Sequence, residues 1–338
     1  MTEWHQGKVD TSIDKQQRLA TQTARIIGLA REPVSRHTVA MQGEGAPAEA
    51  DATATSETET ETVSTTAQMI TELQHTTAHD FNGDATAFRS LITAVESTIN
   101  ESEFYLRLAE LHQQLSSELV LDKIRAIDSW ASGDTAFKLV QKSWPSVIDK
   151  LYRINIEENL LKSAPPIVPT LDERARRDDK GSLQRWITPL VAHEVIDDLF
   201  RTKFVVPFVD GVIDIGSRLE SIINELGLRR FRRYHAKDSG YHAQHYYVIL
   251  KATDLNNTEI DVAVEIKILT KMQDTLGELT HLLYEKQRTK VLPTEKKRKS
   301  AWEPGTPQFR ATYLGHSGHF IESAMLDLKA EVIRLETD

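Results

Sequence analysis

Residues 259–270, EIDVAVEIKILT, alternate between two kinds of side chain, which is typical of a β-strand whose faces meet different surroundings. The even-numbered positions from 260 to 268 are all β-branched apolar residues and predict a buried face. The opposite face carries Glu265 and Lys267, so a carboxylate and an ammonium group lie two residues apart on an apolar strand. This pair is a candidate for chemistry, and a solvated ion pair is the alternative interpretation.

A second polar segment, residues 237–245 (KDSGYHAQH), leads into a strand predicted at 245–253. Gly240 permits backbone angles that other residues avoid, and Tyr241 offers a flat aromatic face to a nucleobase. Just upstream, arginines at positions 229, 230, 232 and 233 form a cationic cluster in an acidic protein. A polar turn beside a solvated strand is the alternative interpretation.

Two further groups of charged residues precede a strand predicted at 204–209. Asp197 and Asp198 are adjacent carboxylates, and such a pair can bind a divalent cation through oxygen. Residues 174–185 hold five basic side chains around Gly181 and Ser182, a composition that can bind a triphosphate. A turn and a solvated charge run are the respective alternatives.

The spacing of apolar residues predicts helices around these strands. A spacing of three or four residues runs from about 81 to 161, breaks at 132–134, and reappears at 212–226, 271–288 and 316–336. Pro165, Pro166 and Pro169 mark a boundary. Strands interleaved with helices after this boundary predict an α/β or α+β domain, preceded by a helical N-terminal region.

These patterns divide the chain into five predicted segments. They are a helical segment at 1–40, a disordered linker at 41–66, a helical region at 67–165, a domain at 170–290, and a charged loop with a C-terminal helix at 291–338. The linker prediction rests on composition, because residues 41–66 contain almost no large apolar side chain that could offset the entropy of ordering.

The composition of the whole chain excludes several classes of protein. A formal charge of −9 over 338 residues excludes a chain-wide basic character for nucleic-acid binding. With zero cysteines there is no disulfide scaffold, thiolate metal site or cysteine nucleophile. No apolar run reaches the roughly 18 residues of a membrane span, and the N-terminus lacks the apolar core of a signal peptide. We therefore expect a soluble, cytoplasmic protein.

In their order and spacing, the charged segments resemble the synthetase domain of the RelA/SpoT nucleotide pyrophosphokinases. That family carries an Asp before an apolar strand, then K-x-S-G-Y-x-x-x-H, E-I-Q-I-R-T and D-x-W-x-E-x-x-H-x-x-Y-K. The corresponding residues here are Asp198, Lys237 to His245, Glu265 to Thr270, and Asp274, Glu278, His281 and Tyr284. Arg176 precedes Ser182 by six residues, as in the nucleotide-binding stretch of the family. The resemblance covers about residues 170–290.

The chain departs from the family pattern at a few positions. Lys267 stands for the usual Gln, Leu269 for Arg, Leu276 for Trp and Trp186 for Lys, and Phe200-Arg201 replaces an expected Gly. The carboxylates at 198 and 265 are kept. The substitutions change the electrostatics around the donor and acceptor phosphates.

The resemblance implies an α+β domain with a mixed, nucleotidyltransferase-like sheet, which transfers pyrophosphate from ATP to the 3′-hydroxyl of GDP or GTP and makes (p)ppGpp. Asp198 and Glu265 would be the catalytic carboxylates and would hold Mg²⁺. The implied ATP-binding residues are Arg176, Lys180, Ser182 and Arg185, and the implied acceptor-binding residues are Lys237, Tyr241, His245 and Lys267. Glu278, His281 and Tyr284 complete the last family motif.

Two alternatives stay open at this point. Some small members of the family resemble toxins that modify the 3′ end of tRNA, and the arginines at 229–233 with the basic run at 296–299 could serve an RNA acceptor. The Leu at position 269 favours a degenerate, non-catalytic regulator that binds nucleotide. A hydrolase half is not expected, because His79-Asp80 is an isolated pair too close to the basic stretch for a whole hydrolase domain. The patterns do not determine the oligomeric state or the role of residues 1–165.

Overall fold

The computed structural model describes residues 52–117, 137–178, 180–236, 240–288 and 305–337. The chain divides into two units between Ala52 and Thr53, and the first unit lies outside the described residues except for Ala52. The helical segment predicted at 1–40 therefore lies outside the described residues. Every element described below belongs to the second unit.

Helices surround a central sheet in the second unit. The helices are α1 (Ala52–Thr77), α2 (Phe81–Glu101), α3 (Glu103–Ser117), α4 (Trp144–Tyr152), α5 (Leu171–Ala175), α6 (Val209–Glu225), α7 (Lys271–Arg288) and α8 (Pro307–Thr337). The strands are β1 (Val140–Gln141), β2 (Ile167–Val168), β3 (Leu183–Gln184), β4 (Phe200–Val206), β5 (Arg229–Ala236), β6 (His242–Thr253) and β7 (Glu259–Thr270). A π-helical turn, Arg153–Glu157, follows α4, and a 3₁₀ helix, Pro189–Glu194, precedes β4.

The central sheet has the strand order β1-β4-β7-β6-β5, and β2 pairs with β3 in a separate two-stranded sheet. Strands β4 and β7 are parallel, whereas the other neighbouring pairs of the central sheet are antiparallel. Strands β6 and β7 form a hairpin around residues 254–258, where the Asp254 carboxylate accepts backbone hydrogen bonds from Asn256 and Thr258. The fold is therefore α+β with a mixed sheet, as predicted.

One face of the central sheet packs on the helices and forms the main apolar core. Phe200 and Phe204 of β4, Tyr246 of β6, and the even-numbered residues of β7 from 262 to 268 lie in this core. Residues of α1, α2, α3, α4 and α6 belong to the same cluster, because each of these helices repeats apolar residues every three or four positions. The helical region and the sheet thus share one core. Among the described residues, no helix is both long and apolar enough to cross a membrane.

The elements differ from the sequence predictions in several places, of which three bear on the site or on the predicted segments. Strand β4 begins at Phe200 rather than at 204, and the arginine-rich strand β5 was not predicted. Arg201 and Lys203 interrupt the apolar pattern of β4, and two adjacent pairs of arginines remove it from β5. Helix α1 covers residues 52–66 of the predicted linker and continues to Ile70 and Leu73, which are buried and attach the helix to the core. The remaining linker residues, 41–51, lie outside the described residues.

The fully buried Asn155 anchors the segment between α4 and β4. Its side-chain amide donates to the carbonyl of Ile187 at 2.8 Å, and its carbonyl oxygen accepts from the Ile187 N–H at 2.9 Å. Replacing Asn155 with Leu leaves both backbone groups buried without these partners, which costs about 1–3 kcal/mol for each group. We expect a correspondingly lower free energy of unfolding in urea titrations.

The matched control for this prediction is Asn224→Leu, on the exposed side of α6. An exposed substitution of this kind changes stability by about 0.5 kcal/mol or less. Equal urea midpoints for the two variants would contradict the anchoring role of Asn155.

Candidate active site

Two rows of polar and aromatic side chains cross the sheet face that points away from the main core. In register across β4, β7, β6 and β5, the first row is Arg201, Glu265, Tyr247 and Phe231, and the second row is Lys203, Lys267, His245 and Arg233. Residues in register point to the same face of a sheet. Strand pairing therefore brings three separate sequence motifs together around Glu265.

Two small apolar clusters lie on either side of these rows. One contains Leu171, Phe231, Tyr247, Ile249 and Ala263, and it packs α5 against the sheet. The other contains Val205, Ala243 and Leu269, with the ring of Tyr241 packed on it. The charged groups lie between these two apolar clusters, which reduce their contact with water. Electrostatic interactions there are stronger than in bulk water.

Glu265 is a buried, ionised carboxylate at the centre of this face. It is 4% exposed, and its Oε1 lies 2.8 Å from Nδ1 of His245 while its Oε2 lies 3.5 Å from Nζ of Lys267. Burial alone would raise the pKa of Glu265, but the hydrogen bond from His245 and the charge of Lys267 outweigh it and lower the pKa to about 2. The group therefore carries its negative charge at neutral pH.

Asp198 is the second carboxylate of the site, just before β4. Its Oδ2 forms an ion pair with Nζ of Lys142 at 2.5 Å, and its Oδ1 is buried without a hydrogen-bond partner among the described residues. Burial would raise the pKa of Asp198, but the charges of Lys142 and Lys150 outweigh this effect and the pKa lies below its ordinary value. The charge of Glu265 opposes that shift in the pKa of Asp198.

The neighbouring Asp197 is tied into a separate network of cations. Its carboxylate pairs with Arg174 at 2.5 Å, with Arg233 at 3.5 Å and with Lys150 at 3.9 Å. Asp197 is therefore a structural partner of three basic side chains, whereas Asp198 keeps one oxygen without a hydrogen bond from the described part of the chain. This difference favours Asp198 over Asp197 as a ligand for a cation.

The loop before β6 places Tyr241 beside His245. Lys237, Asp238 and Ser239 lie outside the described residues. The Tyr241 hydroxyl lies 3.2 Å from Nε2 of His245, and the ring packs on the apolar cluster instead of standing free. Because the Glu265 carboxylate can only accept, Nδ1 of His245 carries a proton and a neutral ring accepts the Tyr241 hydrogen bond at Nε2. Tyr241, His245 and Glu265 thus form one hydrogen-bonded chain.

Gly240 fixes this loop against the C-terminal helix. Its φ is +76°, a left-handed conformation that favours glycine. A Cβ at this position would lie 2.5 Å from the backbone nitrogen of His316 in α8. The close approach explains why the loop needs glycine on both conformational and steric grounds.

The predicted ATP-binding residues follow α5 in the chain, and Arg176 and Ser182 are exposed whereas Arg185 is partly buried. Arg176 pairs with Asp172, and the Ser182 hydroxyl donates to Glu173. Lys180 is exposed, and Arg185 pairs with Glu194 at 2.5 Å. Of the basic stretch, Arg174 rather than Arg176 reaches the carboxylates before β4 through its contact with Asp197.

The last family motif lies on α7, which follows β7 directly. Asp274 forms an ion pair with the buried Lys203 at 2.6 Å, and Glu278 lies 3.8 Å from the same Nζ. His281 is exposed, and the side chain of Tyr284 lies outside the described part of α7. Asp274 and Glu278 of this motif therefore contact the site through Lys203, which belongs to the second row.

No protein-family model matches the sequence, and no curated protein sequence matches it either. Several solved structures do match. A GTP pyrophosphokinase family protein from Streptococcus pneumoniae is 16% identical, with a TM-score of 0.45, over 73% of this chain and 95% of that chain. Small alarmone synthetase 1 from Bacillus subtilis, solved with its product pppGpp, is 16% identical with a TM-score of 0.43, over 73% of this chain and 94% of its own. Small alarmone synthetase 2 from the same organism is 15% identical with a TM-score of 0.42, over 71% and 96%.

The donor set of Asp198 and Glu265 fits a magnesium ion that shares its coordination with a substrate. Magnesium in nucleotide sites is bound by one or two carboxylates, with phosphates and water completing the shell. The Oδ1 atom of Asp198, which no described residue hydrogen-bonds, is a ready oxygen ligand, and Glu265 is ionised. Among the described residues no cluster of three or more metal-binding side chains occurs.

Two basic residues of the site were not singled out from the sequence. Lys142 follows β1 and lies far along the chain from its partner Asp198, and no local pattern marks it. Lys203 belongs to an apolar strand, where a buried lysine is a signal of function or pairing. The interruption of an apolar run by a lysine could have identified it.

Because the Tyr241 ring packs on an apolar cluster, its removal is predicted to change both the stability of the protein and its binding of an acceptor nucleotide. We expect Tyr241→Ala to destabilise the protein by about 2–4 kcal/mol, because it empties part of a packed cluster. It should also raise the KM for the acceptor about ten- to a hundredfold through lost stacking. Urea unfolding and the two substrate KM values measure these effects.

Tyr241→Phe is the matched variant, because it keeps the ring and removes only the hydroxyl that reaches His245. We expect a loss of about 0.5–1.5 kcal/mol in stability and a smaller change in acceptor KM. If the Phe variant were as impaired toward the acceptor as the Ala variant, the hydroxyl rather than the ring face would be the acceptor contact.

Proposed function

We propose that this protein transfers pyrophosphate from ATP to the 3′-hydroxyl of GDP or GTP and so makes (p)ppGpp. The observation that carries the proposal is the ionised Glu265, held by His245 and Lys267 and electrostatically coupled to Asp198, whose Oδ1 has no hydrogen bond within the described chain. The order of four family-like motifs along the chain supports the same activity. The fold alone supports only a mixed α+β domain.

In the proposed reaction the 3′-oxygen of the acceptor attacks the β-phosphorus of ATP. The bond between that phosphorus and the oxygen bridging to the α-phosphate breaks, AMP leaves, and the hydroxyl proton is released. Phosphoryl groups of this kind pass through a loose transition state, so positioning and charge neutralisation contribute most of the catalysis. The products are the 3′-pyrophosphorylated guanine nucleotide and AMP, which together account for all atoms of ATP and the acceptor apart from the released proton.

The two carboxylates would have different parts in this reaction. Asp198 through Oδ1, together with Glu265, would hold Mg²⁺, which when bound neutralises the charge that develops on the phosphates. Glu265 would also accept a hydrogen bond from the 3′-hydroxyl and orient it toward the phosphorus. A pKa of about 2 suits an orienting acceptor better than a strong base, and a loose transition state needs little help from a base.

The remaining residues would bind the two nucleotides. Arg176, Lys180, Ser182 and Arg185 would bind the ATP phosphates, with Arg176 exchanging Asp172 for a phosphate oxygen. Tyr241 would stack on the guanine base. Lys237, His245 and Lys267 would line the acceptor phosphates and ribose. Lys203 and Lys267 are adjacent in register and pair with Asp274 and Glu265, so each would bind a polyphosphate by sharing or exchanging its carboxylate partner.

Contacts of the arginine cluster favour a free nucleotide over an RNA acceptor. Arg229 pairs with Asp172 and Asp261, Arg232 with Glu220, and Arg233 with Asp197. These guanidinium groups are engaged within the chain, and neutralisation by carboxylates weakens their attraction for a phosphate backbone. The basic run at 296–299 lies outside the described residues.

The deciding experiment incubates the full chain with Mg²⁺, ATP labelled on the β- or γ-phosphate, and GDP, GTP or tRNA in parallel. Label in a guanosine tetra- or pentaphosphate, with an equal amount of AMP, supports the proposal. Label in tRNA would instead show that the acceptor is RNA and would contradict the proposed acceptor. Nucleotide binding without either product would make the chain a regulator. The Glu265→Gln variant controls for a contaminating enzyme.

A further inference from the structure

A buried tyrosine, Tyr247 of β6, lies beside Glu265 on the sheet face of the active site. It is 4% exposed and is in register with Glu265 across the pair of strands β6 and β7. Its hydroxyl lies 3.3 Å from Nδ1 of His245, and that nitrogen lies 2.8 Å from Oε1 of Glu265. Polar groups of three side chains therefore converge at one place on this face.

The direction of the hydrogen bonds follows from the protons that are available. Nδ1 of His245 already donates its proton to the carboxylate, so it cannot accept one from Tyr247. The Glu265 carboxylate can accept, and a hydrogen bond from Tyr247 contributes to the low pKa of Glu265. Burial and the charge of Glu265 raise the pKa of Tyr247, so the phenol keeps its proton and remains a donor at neutral pH. Glu265 thus receives hydrogen bonds from both His245 and Tyr247.

An aromatic stack fixes the ring of Tyr247. The rings of Phe231 and Tyr247 lie 4.6 Å apart, with 12° between their planes. The guanidinium carbon of Arg233 lies 5.4 Å from the centre of the Phe231 ring and 5.7 Å from that of Tyr247, which is the range of a cation–π contact. Leu171 of α5 packs on the same cluster. Because the hydroxyl lies on the axis of the ring, rotation of the ring about that axis leaves the oxygen in place.

Arg233 connects this stack to the segment that carries the second carboxylate. Its guanidinium group lies 3.5 Å from Oδ2 of Asp197, and Asp198 is the next residue along the chain. Tyr247 contacts Glu265, and Arg233 contacts the segment before β4, while both pack on each other. The two carboxylate segments are therefore held through one packed unit.

We propose that Tyr247 is a positioning residue whose hydroxyl fixes the orientation of the Glu265 carboxylate toward the acceptor hydroxyl. This inference rests on the proposed function. A glutamate side chain has several rotatable bonds, and misplacement of a reacting group by about 1 Å can cost about 10²-fold in rate. The family motif that contains Tyr241 ends at His245, so the resemblance gives Tyr247 no role. Filling of the apolar cluster by the ring is the alternative explanation, and removal of the hydroxyl alone distinguishes the two.

The first test compares two tyrosines that are adjacent in β6. Tyr247→Phe keeps the stacked ring and removes the hydroxyl. Tyr246→Phe is the matched control, because Tyr246 is also buried and its hydroxyl is hydrogen-bonded to Gly216 and Glu220 of α6, on the opposite side of the sheet. In single-turnover transfer at saturating ATP and GTP, we expect Tyr247→Phe to be about ten- to a hundredfold slower than the wild type, with unchanged KM values. Tyr246→Phe should lower the thermal midpoint and leave the rate unchanged.

Three results of this test overturn the inference while the proposed function stands. They are a Tyr247→Phe variant that transfers pyrophosphate as fast as the wild type, an equal loss of rate in Tyr246→Phe, and a defect of Tyr247→Phe that is confined to the acceptor KM. The last result would mean that the hydroxyl binds the acceptor directly. A wild type that transfers no label overturns the proposed function, and the inference with it.

A double-mutant cycle in urea unfolding tests the contact without the reaction. Glu265→Gln keeps an acceptor oxygen but removes the charge that strengthens a hydrogen bond from a hydroxyl. The effects of Tyr247→Phe and Glu265→Gln on the unfolding equilibrium constant should therefore depart from additivity by at least about fivefold. The effects of Tyr246→Phe and Glu265→Gln should be additive to within about twofold. Additive effects in the Tyr247 cycle contradict the inference whatever the activity of the protein.

Discussion

Replacing Glu265 with Gln is expected to abolish pyrophosphate transfer while the protein stays folded. Gln has the same shape and can still accept a hydrogen bond from His245, but it lacks the charge that would bind a metal ion and orient the acceptor hydroxyl. Loss of the group that orients the reacting hydroxyl costs about 10²-fold in rate, and loss of metal binding adds to this. The measurement is single-turnover transfer of labelled phosphate from ATP to GTP.

The matched control is Glu259→Gln, at the exposed start of the same strand β7. Glu259 pairs with Lys251 at the surface, and exposed pairs of this kind contribute at most about 1 kcal/mol. We expect wild-type transfer from this variant. Near-native transfer by Glu265→Gln, at an unchanged thermal midpoint, would remove Glu265 from the active site.

Replacing Asp198 with Asn is expected to raise the Mg²⁺ concentration needed for half-maximal activity at least about tenfold. One of two carboxylate ligands becomes a neutral amide, and hard cations prefer charged oxygen ligands. The KM for the acceptor should change little, since Asp198 lies before β4 rather than in the loop that holds Tyr241. Titration of activity with Mg²⁺ at saturating ATP and GTP measures the effect.

Asp214→Asn is the control for this titration. Asp214 lies on α6, on the opposite side of the sheet from Glu265, and pairs with Arg218. Its removal should leave the Mg²⁺ midpoint unchanged. An unchanged midpoint in Asp198→Asn as well would mean that Asp198 serves only as the partner of Lys142.

The strands that build the site differ in how well their sequences predict them. The alternation in β7 is visible because a run of branched apolar residues is interrupted by Glu265 and Lys267. Strand β5 has no such signal, since arginine occupies four of its eight positions. Arg229 pairs with carboxylates of α5 and β7, and Arg232 pairs with a carboxylate of α6, and no local sequence pattern encodes such distant partners.

The same reason limits prediction of the site. Glu265, Lys267 and His245 were predicted and do meet, because each lies in a motif and strand register brings the motifs together. Lys142 was not predicted, because its contact with Asp198 depends on the pairing of β1 with β4. Tyr241 lies in the loop before β6, as predicted. Its packing on Val205 and Leu269 was not predicted, because these residues belong to two strands that are remote in sequence. The roles of these residues stay predictions.

The parallel pairing of β4 with β7 has a consequence for the order of folding. Strands β5, β6 and β7 follow one another in an antiparallel meander, so their contacts are local in sequence. Helix α6 and strands β5 and β6 separate β4 from β7 in the sequence. Contacts between residues so far apart in sequence form slowly during folding. We expect the meander carrying Glu265 and His245 to form first. Asp198, which precedes β4, would then approach Glu265 late in folding. Local unfolding of β4 would separate these two carboxylates early.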